Sequence, residues 1–380
     1  MSEMQSSEQL RILKLYVYPI KSLRGISIPK SITTESGFVH DRQFMIWNVS
    51  KSETMHIGLQ PALGLFTTRF DSSTNPKSVE VAYGLDCTYD KPDEKVLSEN
   101  LSVPLFPQTK GLNVMEVVMH KSPTMAYDMG ARYNEWFSKR FGFEVKLLYI
   151  GTNRRKVLGN LPPLTASTRS GILRLTITQV LQTSLGLTLT TLIFLATIVI
   201  CGLTRPVIRK NLTGSQKGHS ITFADLAPFL VISAQSIRNV QGRLPDDTVL
   251  DMIKFRPNIV IDGATQEFDE DYWAELQIRD NITIALTQNC ARCNSLNVDF
   301  ATGKTALDAT GKVLKLLSKD RRVDPGTKWS PVFGRYGFLL ADSRHLDDVI
   351  LCEGDDVRVS RRNEQRTILG RTPSTLHQES

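Results

Sequence analysis

The chain has 380 residues, of which 41% are hydrophobic and 22% are charged, and this composition is that of a globular protein with room for two domains. The net charge of +7 would suit nucleic acid, an anionic membrane surface or a phosphate-bearing ligand. Much of the excess lies in arginine pairs at positions 154–155, 321–322 and 361–362 rather than on one helical face with interleaved aromatics, which argues against a nucleic-acid partner.

The first part of the chain is predicted to be mostly β. Strands are expected at residues 10–18, 44–48, 79–83 and 145–150. The first strand ends at a proline and delivers Lys21 and Ser22 to a loop. Aromatic residues recur at helical spacing within residues 127–141, which predicts one helix that covers the strands. We therefore expect a β domain over residues 9–159.

A segment of different composition follows at residues 160–219. It has no charged residue between Arg174 and Arg205. Residues 185–203 are long enough to cross a bilayer, which takes roughly 20 apolar residues. On hydropathy this stretch is a transmembrane candidate, although its threonines lower its hydrophobicity.

Globular sequence resumes after the insertion and predicts a second domain over residues 220–360. Strands are expected within residues 221–233, 255–263, 282–288, 336–342 and 349–360. A short amphipathic helix is expected at residues 305–317. Residues 361–380 are polar and basic without periodicity, so a disordered tail is expected there.

The five cysteines indicate a reducing, intracellular compartment. Their number is odd and their spacing irregular in a long chain, which disfavours a disulfide framework. The first ten residues show neither the apolar core of a signal peptide nor the arginine-rich pattern of a transit peptide.

Cys290 and Cys293 form the one C-x-x-C motif, and three chemistries compete there. Zinc would need two more soft ligands, and no second motif supplies them. A thioredoxin-like pair should open a helix, whereas the next residues are predicted to be extended. A single thiolate on a soft or redox-active metal remains, with Arg292 favouring the anionic sulfur. From the motif alone, two inert cysteines at a strand end are an equal alternative.

Other catalytic motifs are missing from the sequence. The segment around Gly303, Lys304 and Thr305 resembles the end of a phosphate-binding loop, but Val298 stands where its first glycine would be needed. No G-x-G-x-x-G follows a strand, and neither a G-x-S-x-G elbow nor an H-E-x-x-H motif occurs. These patterns disfavour nucleotide binding by the two common loops and hydrolase chemistry.

Six separated segments together resemble the MOSC-domain proteins, and more closely the amidoxime-reducing component group. The segments are YPIKSLRG (18–25), DRQFMIW (41–47), ADLAPFLVIS (224–233), FRPNIVI (255–261), NCARC with NVDFATG (289–303) and SPVFGRYG (330–337). The resemblance covers about four-fifths of the chain. It implies an α+β, mostly β fold, with a MOSC β-barrel domain packed against an N-terminal β-barrel-like domain.

The same resemblance implies a molybdenum cofactor of the molybdopterin type between the two domains. Cys293 would be the catalytic thiolate ligand of molybdenum, and Cys290 would not bind the metal. The cofactor-binding residues implied by the matching motifs are Lys21, Ser22, Arg42, Ala224, Asp225, Leu226, Arg256, Asn258, Ala291, Arg292 and Tyr336. Cationic side chains suit the pterin phosphate, and Asp and Asn suit its ring edges.

The implied activity is a molybdenum-dependent N-reductase that reduces N-hydroxylated compounds such as amidoximes. Electrons would come from a b-type haem cytochrome and its NADH-dependent flavin reductase, in the cytoplasm or at the mitochondrial outer membrane. Two alternatives stay open: sulfur transfer with a separate pyridoxal-phosphate desulfurase, and a non-catalytic cofactor carrier.

The insertion conflicts with this site if residues 185–203 cross a membrane once. Lys21 and Arg42 would then lie on one side and Cys293 on the other, so the shared site could not assemble. Three readings avoid the conflict: the segment lies in the membrane interface or re-enters it, it is disordered or packed in the protein, or it is translated non-coding sequence from a faulty gene model.

Overall fold

The computed structural model describes residues 9–84, 99–162, 219–279, 281–340 and 349–370, and all of these belong to one compact unit. The candidate membrane segment at 185–203 lies outside the described residues, as does most of the 160–219 insertion. Within the described ranges, no helix combines the length and the apolarity needed to cross a membrane.

Strands are the main regular secondary structure of the described chain. Before the insertion they are β1 (Leu10–Val17), β2 (Ile26–Ile28), β3 (Lys30–Thr34), β4 (Gly37–Phe38), β5 (Phe44–Asn48), β6 (Glu53–Thr54), β7 (Phe66–Phe70), β8 (Ser78–Tyr83), β9 (Leu101–Pro104), β10 (Val114–Met119), β11 (Ser122–Asp128), β12 (Val145–Tyr149) and β13 (Arg155–Lys156). After it they are β14 (Ser220–Ile221), β15 (Phe229–Ser233), β16 (Ile259–Asp262), β17 (Trp273–Ile278), β18 (Ile282–Ala291), β19 (Val298–Asp299), β20 (Lys304–Thr305), β21 (Val332–Leu340), β22 (Ile350–Cys352) and β23 (Asp356–Arg362). Within the described residues, the α-helices are α1 (Ala131–Phe141), α2 (Ala234–Gln241) and α3 (Val313–Leu317).

Seven strands close into a barrel in the order β16, β15, β21, β18, β17, β23 and β1, with β1 pairing back to β16. Every pairing in the ring is antiparallel except β15 with β16. A parallel pair needs a long crossover, and α2 lies within that connection. The side chain of Ser233 caps α2 by accepting a hydrogen bond from the amide of Gln235. The N-terminal strand thus completes a barrel whose other strands all follow the insertion.

Strand β15 explains how the barrel is packed. All five of its residues are buried. Phe229 and Val231 pack in a core to which every strand of the ring contributes, whereas Leu230 and Ile232 pack in a second core with residues of α2 and α3. Burial on both faces accounts for a continuous apolar run instead of an alternating one.

The N-terminal part builds its own core from several small sheets. A five-stranded sheet has the order β10, β11, β12, β5 and β6, and β7, β8 and β9 form a three-stranded sheet. Helix α1 buries Trp136 and Phe137 in the core that these sheets share. The ring of Phe66 lies 5.5 Å from that of Phe137 and 6.0 Å from that of Trp136, distances typical of interacting aromatic pairs. The mostly β fold class is thereby confirmed.

Several predicted element boundaries are wrong. Tyr127 belongs to β11, and the helix begins only at Ala131. The helix predicted at 305–317 is reduced to a 3₁₀ helix (Ala309–Lys312) followed by the short α3. The residues after Cys293, predicted to be extended, form a 3₁₀ helix (Asn294–Asn297) before β19.

The disordered tail predicted from residue 361 is wrong for residues 361–370. Arg361 and Arg362 complete β23 and pair with β17. The amide of Leu369 donates to Asp324 Oδ1 at 3.1 Å, and the amide of Gly370 donates to Asn160 Oδ1 at 3.1 Å. The buried side chains of Asp324 and Asn160 therefore hold this segment, and charge composition does not reveal them. The rest of the tail lies outside the described residues.

A buried carboxyl group is expected to make stability depend on pH. Burial raises the pKa of Glu270 from 4.5 to about 7, and its Oε2 accepts a hydrogen bond from Ser236 Oγ at 2.7 Å. The folded state then holds a proton that the unfolded state releases, so stability should fall as pH rises from about 4.5 to 7, by about 3 kcal/mol from this group.

We expect Glu270→Gln to flatten this pH dependence and to be more stable than the wild type at pH 8, as measured by urea unfolding between pH 5 and 8. The matched control is the exposed Glu267→Gln, which should keep the wild-type slope. Equal slopes for the wild type and Glu270→Gln would contradict the assignment.

Candidate functional site

One cleft gathers the predicted site residues from both parts of the chain. The cleft has a volume of about 690 Å³, including the space at its mouth that is open to solvent. The residues that line it are Lys21, Ser22, Arg42, His56, Ile57, Ala224, Asp225, Ala227, Leu230, Phe255, Arg256, Asn258, Cys290, Ala291, Arg292, Cys293, Ser295 and Tyr336. Of the predicted set, Leu226 alone does not line the cleft, because its side chain packs against the core that holds α2 and α3.

Two loops of the N-terminal part are fixed against each other at this cleft. The amide of Arg42 donates to Tyr18 O at 2.8 Å, and the amide of Lys21 donates to Phe44 O at 2.7 Å. Three lining residues adopt left-handed backbone conformations: Ser22 (φ 71°), Arg42 (φ 48°) and Arg256 (φ 55°). Such conformations cost of order 1–3 kcal/mol each and cluster at functional sites.

Two guanidinium groups approach the ring of Tyr18. Arg42 is 4.5 Å and Arg256 is 4.4 Å from its ring centre, within the range of cation–π attraction. Arg42 also binds Asp41, and its Nη1 donates to Asn258 Oδ1 at 2.9 Å. Arg256 Nη1 donates to Leu23 O at 2.7 Å. Burial lowers the pKa of Arg256 to about 10, so it stays cationic at neutral pH.

Both polar atoms of the Asn258 side chain form hydrogen bonds within the protein. Its Oδ1 accepts from Arg42 and from the amide of Leu230 at 3.2 Å, and its Nδ2 donates to Tyr16 O at 3.2 Å. This pattern orients Arg42 and joins β1 to β15 within the barrel.

Asp225 meets the side chains of Lys21 and His120 from the N-terminal part. Lys21 Nζ forms a close ion pair with Asp225 Oδ1, and His120 Nε2 lies 3.2 Å from the same oxygen. Burial raises the pKa of Asp225, but Lys21 and His120 outweigh burial and hold it well below its usual value. Burial lowers the pKa of Lys21, against the opposing effect of Asp225. The carboxylate is therefore charged and fixed at the cleft wall.

Cys293 presents its sulfur to the cleft. Its Sγ lies 3.3 Å from Ser295 Oγ, and it hydrogen-bonds with the imidazole of His56. Partial desolvation in the cleft raises the pKa of the Cys293 thiol, but the hydrogen bonds with His56 and Ser295 outweigh this effect and lower the pKa from 9.0 to about 6. The thiolate, which is the form that binds metals, therefore predominates at neutral pH.

Cys290 has a different environment, although it is three residues away. It is buried, and Arg292 Nη1 donates to its sulfur at 3.1 Å. Arg292 Nη2 donates to Phe255 O at 2.7 Å, while its buried Nε has no partner among the described residues. Burial, followed by the proximity of Cys290, raises the pKa of Tyr336 well above its usual value. Of the two cysteines, only Cys293 is exposed.

The chemistry of these donors fits the cofactor that the motifs imply. Lys21, Arg42, Arg256 and Arg292 bring more positive charge to the cleft walls than Asp225 offsets, and this suits a phosphate. The orphaned Arg292 Nε is a donor that a ligand would satisfy. An exposed thiolate suits a high-valent, soft-bonding metal.

Four polar residues in or beside the cleft were not predicted from the sequence. His56 and Ser295 flank the sulfur, and His120 reaches Asp225 from the β10–β11 hairpin. Arg155 is buried, and its guanidinium donates to the carbonyls of Met119 (2.8 Å), Thr222 (3.1 Å), Ala224 and Asp225 (3.2 Å). It thereby fixes the loop that carries Asp225. In the sequence, Arg155 is marked only by its place in the arginine pair at 154–155. Such a pair is as typical of a charged surface as of a buried site.

Comparison with known proteins identifies both parts of the chain. Residues 9–144 match the MOSC N-terminal beta barrel domain, and residues 218–358 match the MOSC domain. Together the two models cover more than half of the chain.

Curated relatives and one solved structure are also similar to the chain. Mitochondrial amidoxime-reducing component 1 of Homo sapiens is 35% identical over 32% of this chain and 34% of its own length. Molybdenum cofactor sulfurase of Arabidopsis thaliana is 24% identical over 81% of this chain and 31% of its own length. Each match thus spans about a third of the relative.

A solution structure of a protein from Bordetella bronchiseptica is 13% identical, with a TM-score of 0.21, over 31% of this chain and 84% of that one. A score this low supports no conclusion.

On the two domain matches, the chain belongs to the MOSC-domain family and carries the MOSC N-terminal beta barrel domain as well.

Proposed function

We propose that this protein binds a molybdenum cofactor of the molybdopterin type and acts as an oxidoreductase on N-hydroxylated compounds. The observation that carries the proposal is the exposed, thiolate-forming Cys293 in a cleft with a cationic wall. Cys293 would bind the metal, while Lys21, Arg42, Arg256 and Arg292 would hold the phosphate end of the pterin. Asp225 and Tyr336 would contact its polar ring edges.

The bound cofactor would supply the two-electron chemistry, and the protein would supply position and electrostatics. In the proposed reaction an amidoxime takes up two electrons and two protons, its N–O bond breaks, and an amidine and water are released. The electrons would arrive singly from a b-type haem cytochrome served by an NADH-dependent flavin reductase. Relatives named as amidoxime-reducing components support this reaction, and their names support a mitochondrial location.

A second candidate is sulfur transfer to the cofactor, or its carriage, together with a pyridoxal-phosphate desulfurase. The match to molybdenum cofactor sulfurase spans 81% of this chain, a larger share than the match to the human amidoxime-reducing component. The lower identity of 24% weighs against this candidate.

The test is NADH-dependent reduction of benzamidoxime by the full chain, purified from a host that makes the molybdenum pterin and assayed with a b-type cytochrome and its flavin reductase. We expect benzamidine to form in a 1:1 ratio to NADH consumed, and formation to stop when the cytochrome is omitted. Protein that retains molybdenum but forms no benzamidine would contradict the reductase and favour the carrier or sulfur-transfer role. Protein without molybdenum would contradict both.

A further inference from the structure

His56 is held rigidly at the rim of the cleft. Its carbonyl accepts hydrogen bonds from the amides of Leu59 (2.9 Å) and Gln60 (2.8 Å), which form a tight turn. The amide of Met55 donates to Ile46 O at 2.9 Å, and the flanking Met55 and Ile57 are buried in the N-terminal core. These contacts fix the backbone of His56 beside the cleft.

A backbone contact also determines which ring nitrogen of His56 carries the hydrogen. The amide of Gly58 donates to His56 Nδ1 at 3.1 Å, so Nδ1 is the acceptor. In a neutral imidazole the other nitrogen, Nε2, then bears the hydrogen and is the donor. A hydrogen bond to one nitrogen commonly fixes the role of the other in this way.

Gly58 allows the imidazole and the sulfur to converge. A Cβ atom at position 58 would lie 2.8 Å from His56 Cε1 and 3.3 Å from Cys293 Sγ. The first distance is too short for a real contact, so a larger residue would displace the ring. The absence of a side chain at Gly58 lets a residue of the N-terminal part approach a sulfur carried by the barrel.

We infer that His56 is a positioning residue that donates a hydrogen bond from Nε2 to the Cys293 sulfur when that sulfur is bound to molybdenum. The inference rests on the proposed function. A hydrogen bond to a metal-bound thiolate withdraws electron density from the sulfur and stabilises the reduced metal. Ser295 is a second partner of this sulfur, from the MOSC side. Both parts of the chain thus contribute to the environment of the ligand atom.

The test compares the wild type with His56→Leu, which has no donor, and His56→Gln, which keeps an N–H near the position of Nε2. His219→Gln is the control, because its ring packs on Phe338, 5.1 Å away, and does not line the cleft. The measurements are molybdenum per chain, the electron paramagnetic resonance signal of half-reduced molybdenum, and the midpoint potential of the metal.

We expect His56→Leu to shift the resonance signal and lower the potential, or to lose molybdenum, while His56→Gln and His219→Gln stay close to the wild type. An unchanged signal and potential in molybdenum-loaded His56→Leu would overturn the inference. Equal changes or equal metal loss in His56→Leu and His56→Gln would also overturn it, because the ring's bulk and not its donor would then matter. Absence of molybdenum from the wild type would instead overturn the proposed function.

Discussion

Cys293→Ala is expected to lower the molybdenum content of the purified protein by at least about tenfold, since loss even of groups that support a metal ligand weakens metal binding by about 10- to 100-fold. The change removes the exposed sulfur whose pKa is lowered to about 6. Cys290 cannot replace it without moving, because it is buried against Arg292. The measurement is molybdenum by mass spectrometry and pterin by fluorescence after oxidation, both per folded chain.

Two other cysteines provide matched controls for this prediction. Cys352 lies on β22 and is half-buried outside the cleft, so Cys352→Ala should keep full molybdenum. Cys290→Ala should also keep the metal, because its sulfur is directed to the core and to Arg292. If Cys290→Ala lost molybdenum and Cys293→Ala kept it, the ligand assignment would be reversed.

Local pattern was sufficient to predict about half of the described strands, including every strand of the barrel ring except β17. The buried run of β5 was predicted at its observed bounds, and β12 was predicted to within one residue. The helix was placed too early because the predicted segment was begun at Tyr127, which lies in β11 and precedes the aromatic residues of α1. Periodicity alone does not locate the boundary between a strand and a helix that follows it closely.

Barrel closure could not be predicted from local pattern. β1 pairs Leu15 with Ile259 and Leu10 with Val357, residues more than two hundred positions away. Nothing in the alternation of β1 reveals that its partners come after the insertion. For the same reason, β1 was assigned to the first domain from the sequence, whereas in the structure it is a strand of the barrel.

The site was predictable where its residues lie in motifs and not where packing places them. Lys21, Arg42 and Cys293 belong to recognisable segments and converge in the structure. His56 belongs to no motif, and its position depends on the turn at Gly58. Arg155 has the sequence context of a surface charge, and only the fold reveals the carbonyl groups that surround it.

Asp271 belongs to a buried ionic network that is expected to dominate the stability of the barrel. Arg321 Nη2 donates to both of its carboxylate oxygens, at 2.7 and 2.9 Å, and Arg366 Nε donates to Oδ2 at 2.7 Å. Asp271 is 1% exposed and Arg321 is 3% exposed. The network joins the segment before β17 to the end of α3 and to the C-terminal residues that follow β23.

Asp271→Ala should therefore reduce the free energy of unfolding by about 3–5 kcal/mol, because it leaves the Arg321 charge buried without its counterion. The matched control is Asp320→Ala, whose exposed pair with Arg243 should contribute about 0–1 kcal/mol. Urea unfolding at pH 7 measures both. Replacing both partners, with Asp271→Leu and Arg321→Met, should recover part of the loss, since no unpaired charge remains. A cost for Asp271→Ala no larger than that of Asp320→Ala would show that Arg321 finds solvent or another partner in the folded barrel.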